Sequence, residues 1–84
     1  ERNMVFIQGD RFSVLVVQIA GLIARRIVCR VQEGTLLEKG ERFGLIRFGS
    51  CTEVYLPPGA EVVVKEGQRV KAGQTIIGRW RGEQ

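Results

Sequence analysis

Two stretches decide the fold: Val31-Gln-Glu-Gly-Thr-Leu-Leu-Glu-Lys-Gly40 and Val64-Lys-Glu-Gly-Gln-Arg-Val-Lys-Ala-Gly73. The second repeats the first at an offset of 33 residues. Val31/Val64, Glu33/Glu66, Gly34/Gly67 and Gly40/Gly73 are identical, and Leu37/Val70 match in kind. Each unit reads as a strand, a turn at the first glycine, an apolar anchor and a second turn at the next glycine. Glycine suits both turns because it adopts positive φ without a Cβ clash. One such unit cannot bury its apolar face alone, so the pattern predicts two units packed on each other.

Working outward, Met4 to Gln8 reads as a strand, Gly9-Asp10 as a turn and Phe12 to Ala20 as a buried strand, together an N-terminal hairpin. Gly21 interrupts the pattern. Leu22 to Arg26 fits either a helical turn or a strand, and Ile27 to Val31 returns to strand character. Phe43 to Phe48 and Glu53 to Leu56 are two further strands, and Pro57-Pro58-Gly59 is a sharp stop. Chain order then places Gly49-Ser50-Cys51-Thr52 at a hairpin tip between them. The half-repeats resemble those of biotinyl and lipoyl domains. The resemblance implies an all-β fold, a small barrel-sandwich hybrid with an additional N-terminal hairpin, over one domain, residues 1–84. In those domains the equivalent tip carries a modified lysine. Here the tip holds none, and Lys39, Lys65 and Lys71 lie within or beside the half-repeats. That weighs against a carrier and leaves a non-catalytic binding or interaction module as the alternative to an enzyme.

Composition bounds the function further. The chain has 84 residues, 44% hydrophobic and 26% charged, which is one small globular domain with a thin core. The net charge is +4, carried mostly by arginine, which favours an anionic partner such as an acidic lipid surface. With 7% aromatics and no basic run, nucleic acid is not expected. Cys29 and Cys51 lack metal-ligand spacing and the chain has no histidine, so no metal site is expected. Both read as free thiols of a reducing compartment. The apolar stretch Phe12 to Ile23 is too short to span a bilayer.

From residue types alone, Gly49-Ser50 is an ordinary turn, because a serine nucleophile needs a proton acceptor and none lies nearby in sequence. A family resemblance changes that reading. The run Glu41-Arg-Phe-Gly-Leu-Ile-Arg-Phe-Gly-Ser50 with Val54-Tyr-Leu-Pro57, the run Val17 to Cys29, and Gly67 to Gly73 are together similar to the C-terminal part of bacterial phosphatidylserine decarboxylases of the shorter type. The resemblance implies self-cleavage at Gly49-Ser50, with Ser50 becoming a pyruvoyl group that serves as cofactor in converting phosphatidylserine to phosphatidylethanolamine. It further implies that residues 1–49 end the large β chain and 50–84 form the small α chain. Thr52 would support the ester or oxyanion, or simply the turn. The family's base, an aspartate and a histidine, lies upstream of the matched part. The chain is therefore expected to be a C-terminal piece of a longer enzyme, with the remainder supplying both residues, or else a degenerate relative, and in either case uncleaved and inactive alone. Arg79-Trp80-Arg81 suits a lipid interface, and the expected location is peripheral, at the cytoplasmic face of the cell membrane.

Overall fold

The computed structural model describes residues 1–22 and 26–80 and is all-β, with seven strands in three sheets among the described residues. β1 (Arg2–Gln8) and β2 (Ser13–Ile19) form the predicted N-terminal hairpin, and the Gly9 N–H donates to the Phe12 carbonyl at 3.0 Å. Burial alternates along β1: Asn3, Val5 and Ile7 are half-buried, while Met4 and Phe6 are exposed. β2 carries Val14-Leu-Val-Val17, whose three β-branched valines fit a pleated surface. It is the central strand, with β5 (Cys51–Tyr55) on its other edge. Flanked on both sides, β2 holds the most buried residues, Val17 at 1% exposed and Gln18 at 4%. A buried amide must be hydrogen-bonded. Gln18 accepts from Asn3 Nδ2 at 2.8 Å and donates to the Val28 carbonyl at 3.4 Å, which ties this sheet to the next.

The repeat is real in three dimensions. β3 (Ile27–Cys29) pairs antiparallel with β4 (Gly44–Ile46), and β6 (Ala60–Val62) pairs antiparallel with β7 (Gly78–Trp80). Each pair is the ribbon that encloses one copy of the quoted stretch. In the first unit the Thr35 N–H donates to the Gln32 carbonyl and the Glu41 N–H to the Glu38 carbonyl, both at 3.0 Å. In the second, Gln68 donates to Lys65 at 3.0 Å and Gln74 to Lys71 at 3.1 Å, at the same offset. Gly34, Gly40, Gly67 and Gly73 sit third in these turns with φ of 91, 82, 85 and 75°, and no non-glycine residue has positive φ among the described residues. These are type II turns, which demand glycine at that place. The return strands correspond with a slip of one residue: Arg30 N–H donates to the Phe43 carbonyl at 2.7 Å, and Val63 N–H to the Ile77 carbonyl at 3.0 Å. The two ribbons form separate sheets, and β3 lies against β1.

One expectation is corrected. Phe43 to Phe48 and Glu53 to Leu56 do not make a hairpin with Gly49-Ser50 at its tip. β4 pairs with β3 and β5 with β2, so the connection between β4 and β5 crosses from one sheet to another. The turn chemistry explains this. The Ser50 N–H donates to the Arg47 carbonyl at 3.0 Å and Gly49 has φ of 86°. That again is a type II turn, and its twist does not match a two-residue hairpin, which needs positive φ at the first central residue. Of the ambiguous stretch Leu22 to Arg26, residues 23–25 lie outside the described residues.

Candidate active site

The Arg47–Ser50 turn leaves β4 at the end of the second sheet and enters β5 at the edge of the first. Arg47, Phe48 and Gly49 are exposed, Phe48 almost completely, while Ser50 is half-buried. The Ser50 backbone closes the turn, but its hydroxyl does not take part. Ser50 Oγ is buried and has no hydrogen-bond partner among the described residues. A buried hydroxyl without a partner costs roughly 1–3 kcal/mol, so its presence needs a reason beyond packing.

Two glycines serve this turn for different reasons. Around Gly49 there is open space, since a Cβ there would meet nothing within 4 Å, and glycine is required by its φ of 86°. Gly21, just past β2, is required by space. A Cβ on Gly21 would meet the Gly49 carbonyl oxygen, lie 2.8 Å from the Gly49 carbonyl carbon and 3.5 Å from the Ser50 nitrogen. Gly21 thus packs directly on the peptide bond between residues 49 and 50. The sequence showed Gly21 only as an interruption in a strand. Glycine in such a place signals a bulge or a close backbone approach, but nothing in the sequence named the approached segment, 28 residues away.

Thr52 lies on β5 opposite Gln18 and is exposed. Its side chain makes no hydrogen bond to the Gly49 carbonyl among the described residues. It borders a shallow cavity of about 250 Å³ with Gln18, Arg42 and Phe43. Cys51, beside the serine, and Cys29 are exposed free thiols. Tyr55, farther along β5, donates to Glu53 Oε1 at 2.9 Å, and this bond with the carboxylate's charge raises the phenol above its ordinary pKa. Trp80 packs on the body of the protein: its ring stacks on Phe12 with centroids 5.1 Å apart and 23° between planes. Both rings remain about two-fifths exposed. Arg81, the third member of that basic-aromatic cluster, lies outside the described residues. Among the described residues no helix is long and apolar enough to cross a membrane.

The chain is thus a small all-β protein with two half-repeats and, between them, a Gly-Ser peptide in a type II turn, backed by Gly21 and carrying a buried hydroxyl that is unbonded among the described residues. The comparisons narrow this class. The family model for phosphatidylserine decarboxylase matches residues 1–78, and the chain belongs to that family. It is 55% identical over 83 residues to a phosphatidylserine decarboxylase proenzyme of Carboxydothermus hydrogenoformans, covering 98% of this chain and 39% of the relative. It is 64% identical over 66 residues to that of Symbiobacterium thermophilum, covering 79% of this chain and 31% of the relative. With the Magnetococcus marinus proenzyme it shares 47% identity over 85 residues, 100% of this chain and 39% of the relative. The chain therefore spans under two-fifths of the length of these curated relatives. No solved structure matches it.

Proposed function

We propose that this chain is the self-processing part of a pyruvoyl-dependent phosphatidylserine decarboxylase, cut between Gly49 and Ser50. The observation that carries the proposal is the buried Ser50 Oγ, without a hydrogen bond among the described residues beside the Gly49–Ser50 peptide, in a chain of a family whose relatives are named proenzymes. Ser50 Oγ attacks the Gly49 carbonyl carbon: an O–C bond forms, the C–N bond breaks, and the hydroxyl proton passes to a base while the freed nitrogen takes up a proton. The resulting ester eliminates. Loss of the Ser50 Cα proton releases Gly49 as a carboxylate and leaves dehydroalanine, and water then displaces ammonia to give the pyruvoyl group.

That group, as an electron sink, supplies the decarboxylation chemistry. The chain's own residues do the positioning. Gly49 permits the turn with its φ of 86°. Thr52, two residues on along β5, supports the developing oxyanion. The chain contains no histidine, so the base, a histidine held by an aspartate, comes from the remainder of the parent protein. The 84-residue chain alone stays whole. The partner surface is an anionic membrane at its cytoplasmic face, met peripherally through the Phe12–Trp80 stack and Arg79, since an apolar ring pair beside a cation suits the lipid interface.

The test is turnover. The full-length protein carrying this chain is mixed with vesicles containing phosphatidylserine, and phosphatidylethanolamine is measured. The expected result is turnover by the full-length protein and none by its Ser50→Ala variant. Turnover retained by that variant would remove the proposal.

A further inference from the structure

We infer that Gly21 is a positioning residue for the self-cleavage: its missing side chain lets the backbone after β2 lie directly against the Gly49–Ser50 peptide and hold the carbonyl within reach of Ser50 Oγ. The inference rests on the proposed self-processing and adds a residue that the family's nucleophile and base do not include. Three observations converge. A Cβ at position 21 would stand 2.8 Å from the Gly49 carbonyl carbon and 3.5 Å from the Ser50 nitrogen, the two atoms whose bond breaks. Both are backbone atoms, so neither can swing aside as a side chain would. Ser50 Oγ is buried at the same turn and unpartnered among the described residues.

A Cβ on Gly49 itself would meet nothing within 4 Å. The peptide is backed by Gly21, and a side chain there would force it away. Carbon atoms in ordinary contact stand about 3.5–4.0 Å apart. A methyl group at 21 would push the peptide outward by roughly an ångström to restore that spacing. Attack on a carbonyl needs the reacting atoms about 3–3.5 Å apart and aligned, and an error of about 1 Å can cost about 100-fold in rate.

Gly44 provides the matched control. A Cβ there would crowd backbone as closely, 3.1 Å from the Val28 carbonyl carbon and 3.2 Å from Cys29 Cα, but in the β3–β4 ribbon and away from the scissile peptide. In the full-length protein, the rate of chain splitting is followed by mass spectrometry for wild type, Gly21→Ala and Gly44→Ala, with and without neutral hydroxylamine, which cleaves esters. Thermal midpoints are recorded alongside. The expected result is splitting slowed roughly 100-fold in Gly21→Ala, not restored by hydroxylamine because the ester does not form, with a midpoint no lower than that of Gly44→Ala, which splits near the wild-type rate. Equal slowing in both variants, or wild-type splitting in Gly21→Ala, overturns the role. A wild-type chain that never splits removes the reaction and this role with it. If Gly21→Ala fails to fold, a crystal structure of the uncut full-length Ser50→Ala protein decides: Gly21 in van der Waals contact with the Gly49 carbonyl supports the role, and separation overturns it.

Discussion

Two turns of the same geometry treat their fourth residue in opposite ways. In Gln32–Thr35 the Thr35 N–H closes the turn, and its hydroxyl then accepts from the Gln32 N–H at 3.0 Å. Lys65–Gln68 and Glu38–Glu41 do the same with side-chain oxygens, at 3.0 and 2.8 Å. In Arg47–Ser50 the backbone is bonded alike, yet the serine oxygen is buried and bonded to nothing among the described residues. Three turns of this fold are capped by their fourth side chain, and Lys71–Gln74 by the fifth, where the Lys71 N–H donates to Thr75 Oγ1 at 2.8 Å, whereas Ser50 Oγ caps nothing among the described residues. The difference teaches that the Arg47–Ser50 turn is arranged for something other than its own stability.

The comparison breaks most visibly at Ser50. In the full-length protein Ser50→Ala should abolish chain splitting, whereas Thr35→Ala should leave it intact, both read from the mass of the purified chains. Gly21→Ala, by displacing the scissile peptide, comes next with its roughly 100-fold slowing. Position three of the turns sharpens the contrast. Gly49→Ala and Gly67→Ala each force an alanine to positive φ, from 86 and 85°, and should each cost about 1–2 kcal/mol of stability in chemical denaturation. Only the first should impair splitting. A Gly67→Ala variant that also fails to split would mean that turn stability alone governs the reaction.

Smaller effects separate the fourth residues in the 84-residue chain itself. Thr35→Ala removes an exposed hydrogen bond and should cost about 0.5 kcal/mol. Ser50→Ala removes a buried hydroxyl that is unpaired among the described residues and should leave stability unchanged or raise it by up to about 1 kcal/mol. A clear loss on Ser50→Ala would show that the oxygen has a structural partner.

The smallest effect reports on β5, which leaves the Arg47–Ser50 turn. Tyr55 is the single tyrosine, and the Glu53 hydrogen bond raises its pKa. An ultraviolet titration should place it above the ordinary phenol value of about 10, and Glu53→Ala should bring it back down. The raised value means that the stabilising effect of this pair is present below the unfolded-state pKa and is lost as pH rises through the folded one. An ordinary titration in the unmodified chain would show that β5 does not hold the two side chains together.

Much of this was legible in the sequence because glycine spacing encodes turn type. Gly34, Gly40, Gly67 and Gly73 marked two like units, and all four proved to be the positive-φ residue of a type II turn. The N-terminal hairpin followed from β-branched runs on either side of Gly9. The partner of each strand around Ser50 was not legible, because local pattern does not say which of two neighbours a short strand joins. A clue was present: Phe48-Gly49 puts glycine second of the two central residues with no Asn or Asp before it, which favours type II over the hairpin turns. The role of Gly21 was out of reach for the same reason, since its contact is long-range. The free state of Ser50 Oγ was also hidden, because a serine at that place caps a turn as readily as it stands unbonded.

The most direct test of the central claim, that Ser50 Oγ is free to attack the peptide before it, is sequencing of the two pieces of the purified full-length protein by mass spectrometry. The account predicts one piece ending in a free carboxylate at Gly49 and one beginning with a pyruvoyl group in place of Ser50, followed by Cys51. A chain that stays whole, or a junction at any other residue, would contradict it.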